Sequence, residues 1–300
     1  MSKNITILLG GWSSEREVSL ASGAACAAAL IEAGYNVTKL DPSRDMTKLV
    51  AELTPRPDVV FNALHGRYGE DGTIQGVLDI MEIPYTHSGQ LASAVAMDKP
   101  MAIAIFKAAG IPCPEGKVVK AAALGGLDPM PRPYVVKPAH EGSSVGVYIV
   151  KVGDNGPDYG DWNYGDALVE EFIAGQELTV TVMGDKALCI TELKPHQGFY
   201  DFDAKYTEGK TTHICPAQIN EKLANELKAH ALTAHQALGC RGVTRSDFRY
   251  DPKTDKLAIL EINTQPGMTP LSLVPEQADF MGINFVELVS WMVENATCDA

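Results

Sequence analysis

No uninterrupted apolar run in the chain approaches the ~20 residues of a membrane-spanning helix. The opening residues, MSKNITILLGG, lack the basic segment and small-residue cleavage site of a secretory leader, so a cytoplasmic location is expected. Cysteine pairs are also missing. Cys26, Cys113, Cys189, Cys215, Cys240 and Cys298 are scattered, with no C-x-x-C and no histidine at ligand spacing. This excludes a zinc ribbon or a disulfide scaffold and predicts free thiols in a reducing compartment. Basic residues are in deficit, 25 against 38 acids for a net charge of −13, which argues against a nucleic-acid surface. An anionic ligand would have to be held by a few placed lysines and backbone amides. The two commonest phosphate signatures are absent: no G-x-G-x-x-G follows the first apolar strand, and no Walker A spacing occurs. No internal repeat or low-complexity tract is visible.

What the chain does have is enough apolar material, 45 % of 300 residues, for roughly two domains with real cores. Its centre of gravity is the stretch RSDFRYDPKTDKLAILEINTQPGMTPLSL, from Arg245 to Leu273. Ser246 to Tyr250 and Leu257 to Ile262 read as two strands joined by the polar turn DPKTDK. Pairing them brings Asp247 beside Glu261 and Asn263, and the last two share a face because strand side chains alternate. Two carboxylates and an amide oxygen are hard ligands that suit Mg2+. Gly267, shortly after the second strand, lets backbone approach a ligand closely.

The rest divides into three lobes. Over about 1–96, strands at Asn4 to Leu9, Asn36 to Leu40 and Asp58 to Phe61 alternate with a helix from Glu17, which predicts a doubly wound parallel sheet. Sites in such sheets lie at strand carboxyl ends, which groups Gly10 to Glu15 with Asn62 to Gly72. There Glu15 could hold an ammonium group, and His65 could pair with a carboxylate or donate a proton. Over about 97–182, Asp98 caps a helix with Pro100 just inside it. The strand ending at Lys137 offers a point charge for phosphate. EGSSVG, from Glu141 to Gly146, has the composition of a phosphate-approaching loop or of a plain hairpin turn. Glu170 and Glu177 follow an apolar strand and could read an adenine amino group and ribose hydroxyls. Gly153 to Gly165 reads as a surface excursion. Over about 183–300, Lys194 to Ala217 reads as a long irregular segment of the kind that forms lids, carrying Lys205 and Tyr206. Asn220 to Leu238 reads as an amphipathic helix, and Ser272 as the cap of a further helix near Val274.

Taken together, GGWSSEREVSLASG, ALHGRYGEDG, MDKPMA, VVKPAHEGSSVGV, VEEFIAGQELTV, GFYDFDAKY, RSDF and LEINTQPGMTPLSLVP closely resemble the D-alanine–D-alanine ligases of the ATP-grasp superfamily, in order and spacing and over essentially the whole chain. The fold class that follows is α/β: an N-terminal doubly wound parallel-sheet lobe, then an ATP-grasp fold of two α+β lobes, with 194–217 as lid. The resemblance implies that Glu15 holds the ammonium of a first D-alanine, linked through Ser143 and Tyr206. It gives Lys99 and Lys137 to ATP phosphates, Lys205 to the γ-phosphate, and Glu170, Phe172 and Glu177 to the nucleoside. Asp247, Glu261 and Asn263 would carry two Mg2+, with Mn2+ as the alternative ion. Arg245 and the Gly267 amide would form an oxyanion site, His65 a substrate contact, and Ser272 with the Leu273 amide the seat of the second carboxylate. Ser246 departs from the pattern where an aliphatic residue is common, as does Pro270-Leu271 ahead of Ser272.

The implied chemistry is activation of a carboxylate by ATP to an acyl phosphate, then attack by an amine, in peptidoglycan precursor synthesis. A homodimer without membrane or nucleic-acid partners is implied as well. The rivals are an ester-forming relative using D-lactate, an ATP-sensing binding protein without turnover, and a cation-binding structural hairpin. Tyr206 speaks against the first, because the resemblance puts Phe there in ester-forming relatives. Complete phosphate and metal ligands speak against the second. The missing EF-hand loop speaks against the third.

Overall fold

The computed structural model describes residues 2–142, 145–196, 207 and 209–299. The first lobe is built from β1 (Asn4–Leu8), α1 (Arg16–Glu32), β2 (Asn36–Leu40), α2 (Met46–Glu52), β3 (Val59–Asn62), α3 (Thr73–Ile80) and α4 (Gln90–Met97). Its sheet is parallel in the order β2-β1-β3. β1 beyond Asn4 and the whole of β3 are buried, as the centre of a sheet covered on both faces requires.

The second lobe opens with α5 (Lys99–Ala108), where Asp98 accepts the Met101 amide and Pro100 occupies the first turn. β4 (Gly116–Val119), β5 (Tyr134–Pro138), β6 (Tyr148–Val150) and β7 (Ala167–Glu171) form an antiparallel sheet in the order β4-β7-β5-β6. A small core of Tyr134, Val136, Val150, Ala167 and Val169 lies on one face.

The third lobe carries β8 (Gln176–Met183), β9 (Lys186–Pro195), β10 (Thr211–Ile214), α6 (Glu221–Ala237), β11 (Val243–Asp251), β12 (Lys256–Asn263), α7 (Leu273–Phe280) and α8 (Phe285–Glu294). Its antiparallel sheet runs β10-β9-β8-β11-β12. The apolar stripe of α6 (Leu223, Leu227, Ala231, Ala234) packs against Leu178, Val180, Phe248 and Ile259. On the opposite face α7 covers part of the sheet, with Leu273 against Leu193 and Gln277 donating to Thr179 and Thr191, and Thr179 meets Asp247 there. α8 turns back to the first lobe: Leu288, Val289, Met292 and Val293 share one core with Ile5, Ile7, Phe61 and Leu30.

Two expectations are corrected. Lys194 to Ala217 is not irregular at its ends, because β9 and β10 pair from Thr211↔Pro195 to Ile214↔Glu192. Pro195 and Pro216 suggested irregular backbone, but one ends a strand and the other lies beyond one, where a missing amide costs little. The centre of that segment, with Lys205 and Tyr206, lies outside the described residues, as does Ser143. Ser272 stands at the N-cap of α7 but does not cap it with its side chain. Its hydroxyl accepts the Thr269 amide at 2.9 Å. The third helical residue is Pro275, which has no N–H to give a cap.

The β11–β12 hairpin forms as read, with Asp247 opposite Glu261 and Arg245 opposite Asn263. One feature was not foreseen. The register jumps from Asp247↔Glu261 to Phe248↔Ile259, leaving Leu260 as a bulge without a partner. Strict alternation would put Leu257, Ile259, Glu261 and Asn263 on one face. The extra residue instead lets Leu257, Ile259 and Ile262 all enter the core beneath α6, while Glu261 and Asn263 face the opposite side.

Deleting Leu260 is therefore expected to close the bulge and leave a regular strand with Glu261 and Asn263 still on the cavity face, at a cost of about 1 kcal/mol. Inserting an alanine between Glu261 and Ile262 instead carries Ile262 out of the core and is expected to lower the unfolding free energy by more than about 3 kcal/mol. Urea unfolding of the two variants measures the difference, and equal losses would contradict this phasing of the strand.

Candidate active site

Two adjoining cavities lie where the three lobes meet. The larger, of about 560 Å³, sits between the two antiparallel sheets. Val135 and Lys137 of β5, Ile149 of β6 and Glu170 of β7 line one wall, and Glu177, Asp247, Arg249, Leu260 and Glu261 the other. The smaller, of about 70 Å³, is lined by Glu15, His65 and Glu70 from the first lobe and by Arg245, Asn263 and Gly267 from the third. Lys99, Gly142 and Glu261 line both, so the cavities join there.

In the larger cavity, the Lys137 ammonium lies 2.6 Å from Glu170 Oε1, both side chains buried. Glu170 Oε2 is buried with no hydrogen-bond partner among the described residues. A buried carboxylate oxygen is costly to leave unmet, so this atom is a ready acceptor for a ligand N–H. Glu177 pairs with Arg249 at 3.2 Å, and the Arg249 guanidinium stands 5.9 Å from the centre of the Phe172 ring. Sequence reasoning passed over Arg249, although its alternation with Arg245 and Asp247 on β11 was there to see.

At the junction, Lys99 donates to the Glu141 carbonyl and lies 3.6 Å from Glu261. Asp247 is gripped from two sides. Arg245 donates Nε to Oδ1 at 2.9 Å and Nη2 to Oδ2 at 2.8 Å, and Thr179 Oγ1 donates to Oδ1 at 2.7 Å. Thr179 faces Asp247 because the two are register partners on β8 and β11, a relation no local motif announces. Asn263 Oδ1 accepts the Gln265 amide at 2.8 Å. Gln265 in turn meets Asn62 of β3 at 2.6 Å, which ties the loop after β12 to the first lobe.

In the smaller cavity, Glu15 occupies the N-cap position of α1 and is buried. His65 Nδ1 lies 2.8 Å from Glu70 Oε1, and its Nε2 has no partner among the described residues. Burial pushes the imidazole pKa down, but the hydrogen bond and charge of Glu70, helped by Glu15, outweigh it and raise the value. Sequence reasoning missed Glu70, whose signal was its place five residues after His65 in HGRYGEDG. Ser272 and Leu273 do not line the smaller cavity. Ser272 adjoins it, since a Cβ on Gly267 would stand 3.0 Å from the Ser272 hydroxyl. The hydroxyl of Ser246 is buried without a partner among the described residues, the cost of a polar group where an aliphatic side chain is common.

Two antiparallel sheets closed on a nucleotide-sized cavity, with a second small polar cavity opening off its lysine-and-carboxylate end, define an ATP-grasp arrangement preceded by a parallel-sheet lobe. Comparison with known proteins names the branch. The family model for the C-terminus of D-Ala–D-Ala ligases matches residues 106–294, and that for the N-terminus matches 42–88. The chain is 56 % identical over 299 residues to D-alanine–D-alanine ligase of Acidiphilium cryptum, covering 99 % of each. It is likewise 56 % identical over 306 residues to that of Rhizobium meliloti, with 99 % of each covered. Its structure is similar to the crystal structure of D-alanine–D-alanine ligase from Bacillus anthracis, with a TM-score of 0.84, 30 % identity and 98 % and 97 % of the chains covered. The ATP complex of that enzyme gives 0.81 and 28 % over the same shares. The chain belongs to the D-alanine–D-alanine ligase family.

Histidine titration gives the site a signature. The folded His65 pKa lies above its usual 6.5, so its contribution to stability is complete below that pH and is lost as pH rises through the raised value. His87 and His235, buried neutral, are held down to about 3 and about 4. Their contribution is complete above pH 6.5 and is lost as pH falls toward those values. Unfolding free energy should thus decline on both sides of about pH 6.5. Glu70→Gln is expected to flatten the alkaline limb and to leave the acid limb in place. Urea unfolding across pH 5 to 9 reads this (roughly the window of native stability), and an unchanged alkaline limb would refute the pairing.

Proposed function

We infer that this chain is an ATP-dependent ligase that joins two D-alanines into D-alanyl-D-alanine for peptidoglycan precursor synthesis. The observation that carries the reading is the meeting of the two cavities at Lys99 and Glu261, where a phosphoryl group from one side can reach a carboxylate from the other. A carboxylate is a poor electrophile. Transfer of the γ-phosphoryl group of ATP to the first D-alanine gives an acyl phosphate and ADP. The free amine of the second D-alanine then attacks the acyl carbon, and the tetrahedral intermediate expels phosphate as the amide forms.

The residues divide this work between them. Glu170, with its unmet oxygen, suits the adenine amino group, beside Phe172 and Glu177. Lys99 and Lys137 face the phosphates, and Lys205 reaches the γ-phosphate from the lid segment. Glu15 takes the ammonium of the first D-alanine, with Ser143 and Tyr206 completing the link. His65, its charge favoured by Glu70, offers Nε2–H to a substrate carboxylate, and Ser272 with the Leu273 amide receives the other. Arg245 and the Gly267 amide stabilise the oxyanion as it develops, the interaction that contributes most in acyl transfer. Closure of 194–217 would exclude the water that hydrolyses an acyl phosphate.

The donor set of Asp247, Glu261 and Asn263, all oxygen and on one sheet face, fits Mg2+. Two such ions, or Mn2+ in their place, would neutralise charge on the phosphoryl oxygens when bound. A cytoplasmic homodimer completes the proposal. Among the described residues no helix is long and apolar enough to cross a membrane.

Phosphate release from ATP across a panel of D-amino acids and D-lactate, with product identified by mass, tests the whole reading. ATP binding without D-alanine-dependent phosphate release would make the protein a sensor. Glu261→Gln is expected to cut turnover at least tenfold (about 1.4 kcal/mol) while far-UV dichroism stays unchanged; activity within a factor of about two would remove Glu261 from the metal set. Tyr206→Phe is expected to keep ATP turnover and to raise the ester-to-amide ratio roughly tenfold when D-lactate competes with D-alanine, the scale of one lost hydrogen bond. An unchanged ratio would show that Tyr206 does not choose the nucleophile.

A further inference from the structure

The larger cavity has a thin wall. β6 is a three-residue edge strand paired only with β5, and it is entered through the turn in which the Val145 amide donates to the Gly142 carbonyl. Side chains alternate along it. Ile149 lines the cavity with Val145 and Val147 of the approach to the strand, while Tyr148 and Val150 face the core on the other side. An edge strand this short has few ladder bonds to hold its position.

What stands behind it is an aromatic stack supplied by the excursion from Gly153 to Gly165. Tyr148 meets Tyr159 edge-on at 5.3 Å and Trp162 at 6.3 Å. Trp162 meets Tyr164 edge-on at 5.2 Å and is itself anchored by its indole N–H on the Gly165 carbonyl at 2.7 Å. Tyr164 ends the stack against Gly146. A Cβ there would lie 2.7 Å from Tyr164 Cε2 and 3.0 Å from Cδ2, with Pro138 Cγ at 3.1 Å. Gly146 also has φ of 68°, so the backbone needs glycine for its conformation as well as for the approach of the ring.

We propose that Tyr164, backed by Trp162 and Tyr148, is a positioning residue for nucleotide binding: its ring presses on Gly146 and fixes how far Val145 and Val147 project into the cavity. It touches neither substrate. The phenol hydroxyl plays no part in this contact, so the flat ring alone carries the effect. The proposal rests on the reading of the larger cavity as the ATP site.

The test uses a non-hydrolysable ATP analogue with Mg2+ in calorimetry, and steady-state kinetics with ATP and D-alanine. Tyr164→Ala is expected to raise the analogue Kd and the ATP KM about tenfold, with kcat and the D-alanine KM within about twofold of wild type. Tyr164→Phe is expected to match wild type throughout. If Tyr164→Ala does not fold, Tyr164→Leu, which keeps bulk but not the flat face, is expected to raise the ATP KM about threefold. Unchanged ATP parameters in the folded variant overturn the proposal. So does an equal rise in both substrates' KM, or a Tyr164→Phe enzyme as impaired as the alanine variant. Failure of the wild type to bind the analogue would overturn the ATP reading and this inference together, whereas normal wild-type binding with an unaffected variant overturns this inference alone.

Discussion

One β-bulge, at Leu260, keeps the phase on which the catalytic side of the third lobe depends. β12 has to satisfy two neighbours, a helix that wants Leu257, Ile259 and Ile262 and a cavity that wants Glu261 and Asn263. A period of two cannot serve both, because all but one of those positions are odd. The bulge resolves the conflict by leaving Leu260 out of the ladder, so that Glu261 falls in phase with the cavity and Ile262 with the core. β11 needs no such device. Arg245, Asp247 and Arg249 alternate cleanly with Ser246 and Phe248, so its partner's irregularity brings Glu261 opposite Asp247 without disturbing the core.

The charges collected there are held by one another. Arg245 and Thr179 donate to the two oxygens of Asp247, Glu170 meets Lys137, Glu177 meets Arg249, and Glu70 meets His65. Burying ions is unfavourable unless each is paired and hydrogen-bonded. The exceptions are therefore informative. Glu170 Oε2 and His65 Nε2 are buried atoms without partners among the described residues, one in each cavity, and each is of the right kind for the ligand proposed there. Among the described residues these ion pairs hold the charged groups of both cavities in place, the condition under which electrostatic stabilisation is effective.

Local signals carried much of this architecture. Asp98 and Pro100 announce α5, Asn220 announces α6, and the Asp247–Glu261 register follows from two short runs and a polar turn. The resemblance assigned roles that periodicity could not. What escaped reading was what depends on distant parts of the chain. Thr179 acquires meaning only when β8 lies beside β11, and Leu260 only when α6 claims Ile262. Ser272 looked like a cap because serine before a helix usually is one, and Pro275 three residues on was the local warning, since it removes one of the two amides such a cap could hold. The ends of 194–217 looked irregular because prolines at strand termini are indistinguishable, in one dimension, from prolines in loops.

The placement of α8 bears on how the molecule is made. Ile5, Ile7 and Phe61 leave the ribosome long before Leu288, Val289, Met292 and Val293, which form one flank of the same core. Tyr85 likewise bridges to Thr297. In the usual order an N-terminal unit folds while the remainder is still being translated. Here that unit lacks one flank of its core until α8 has emerged, so the first lobe is completed only when α8 docks.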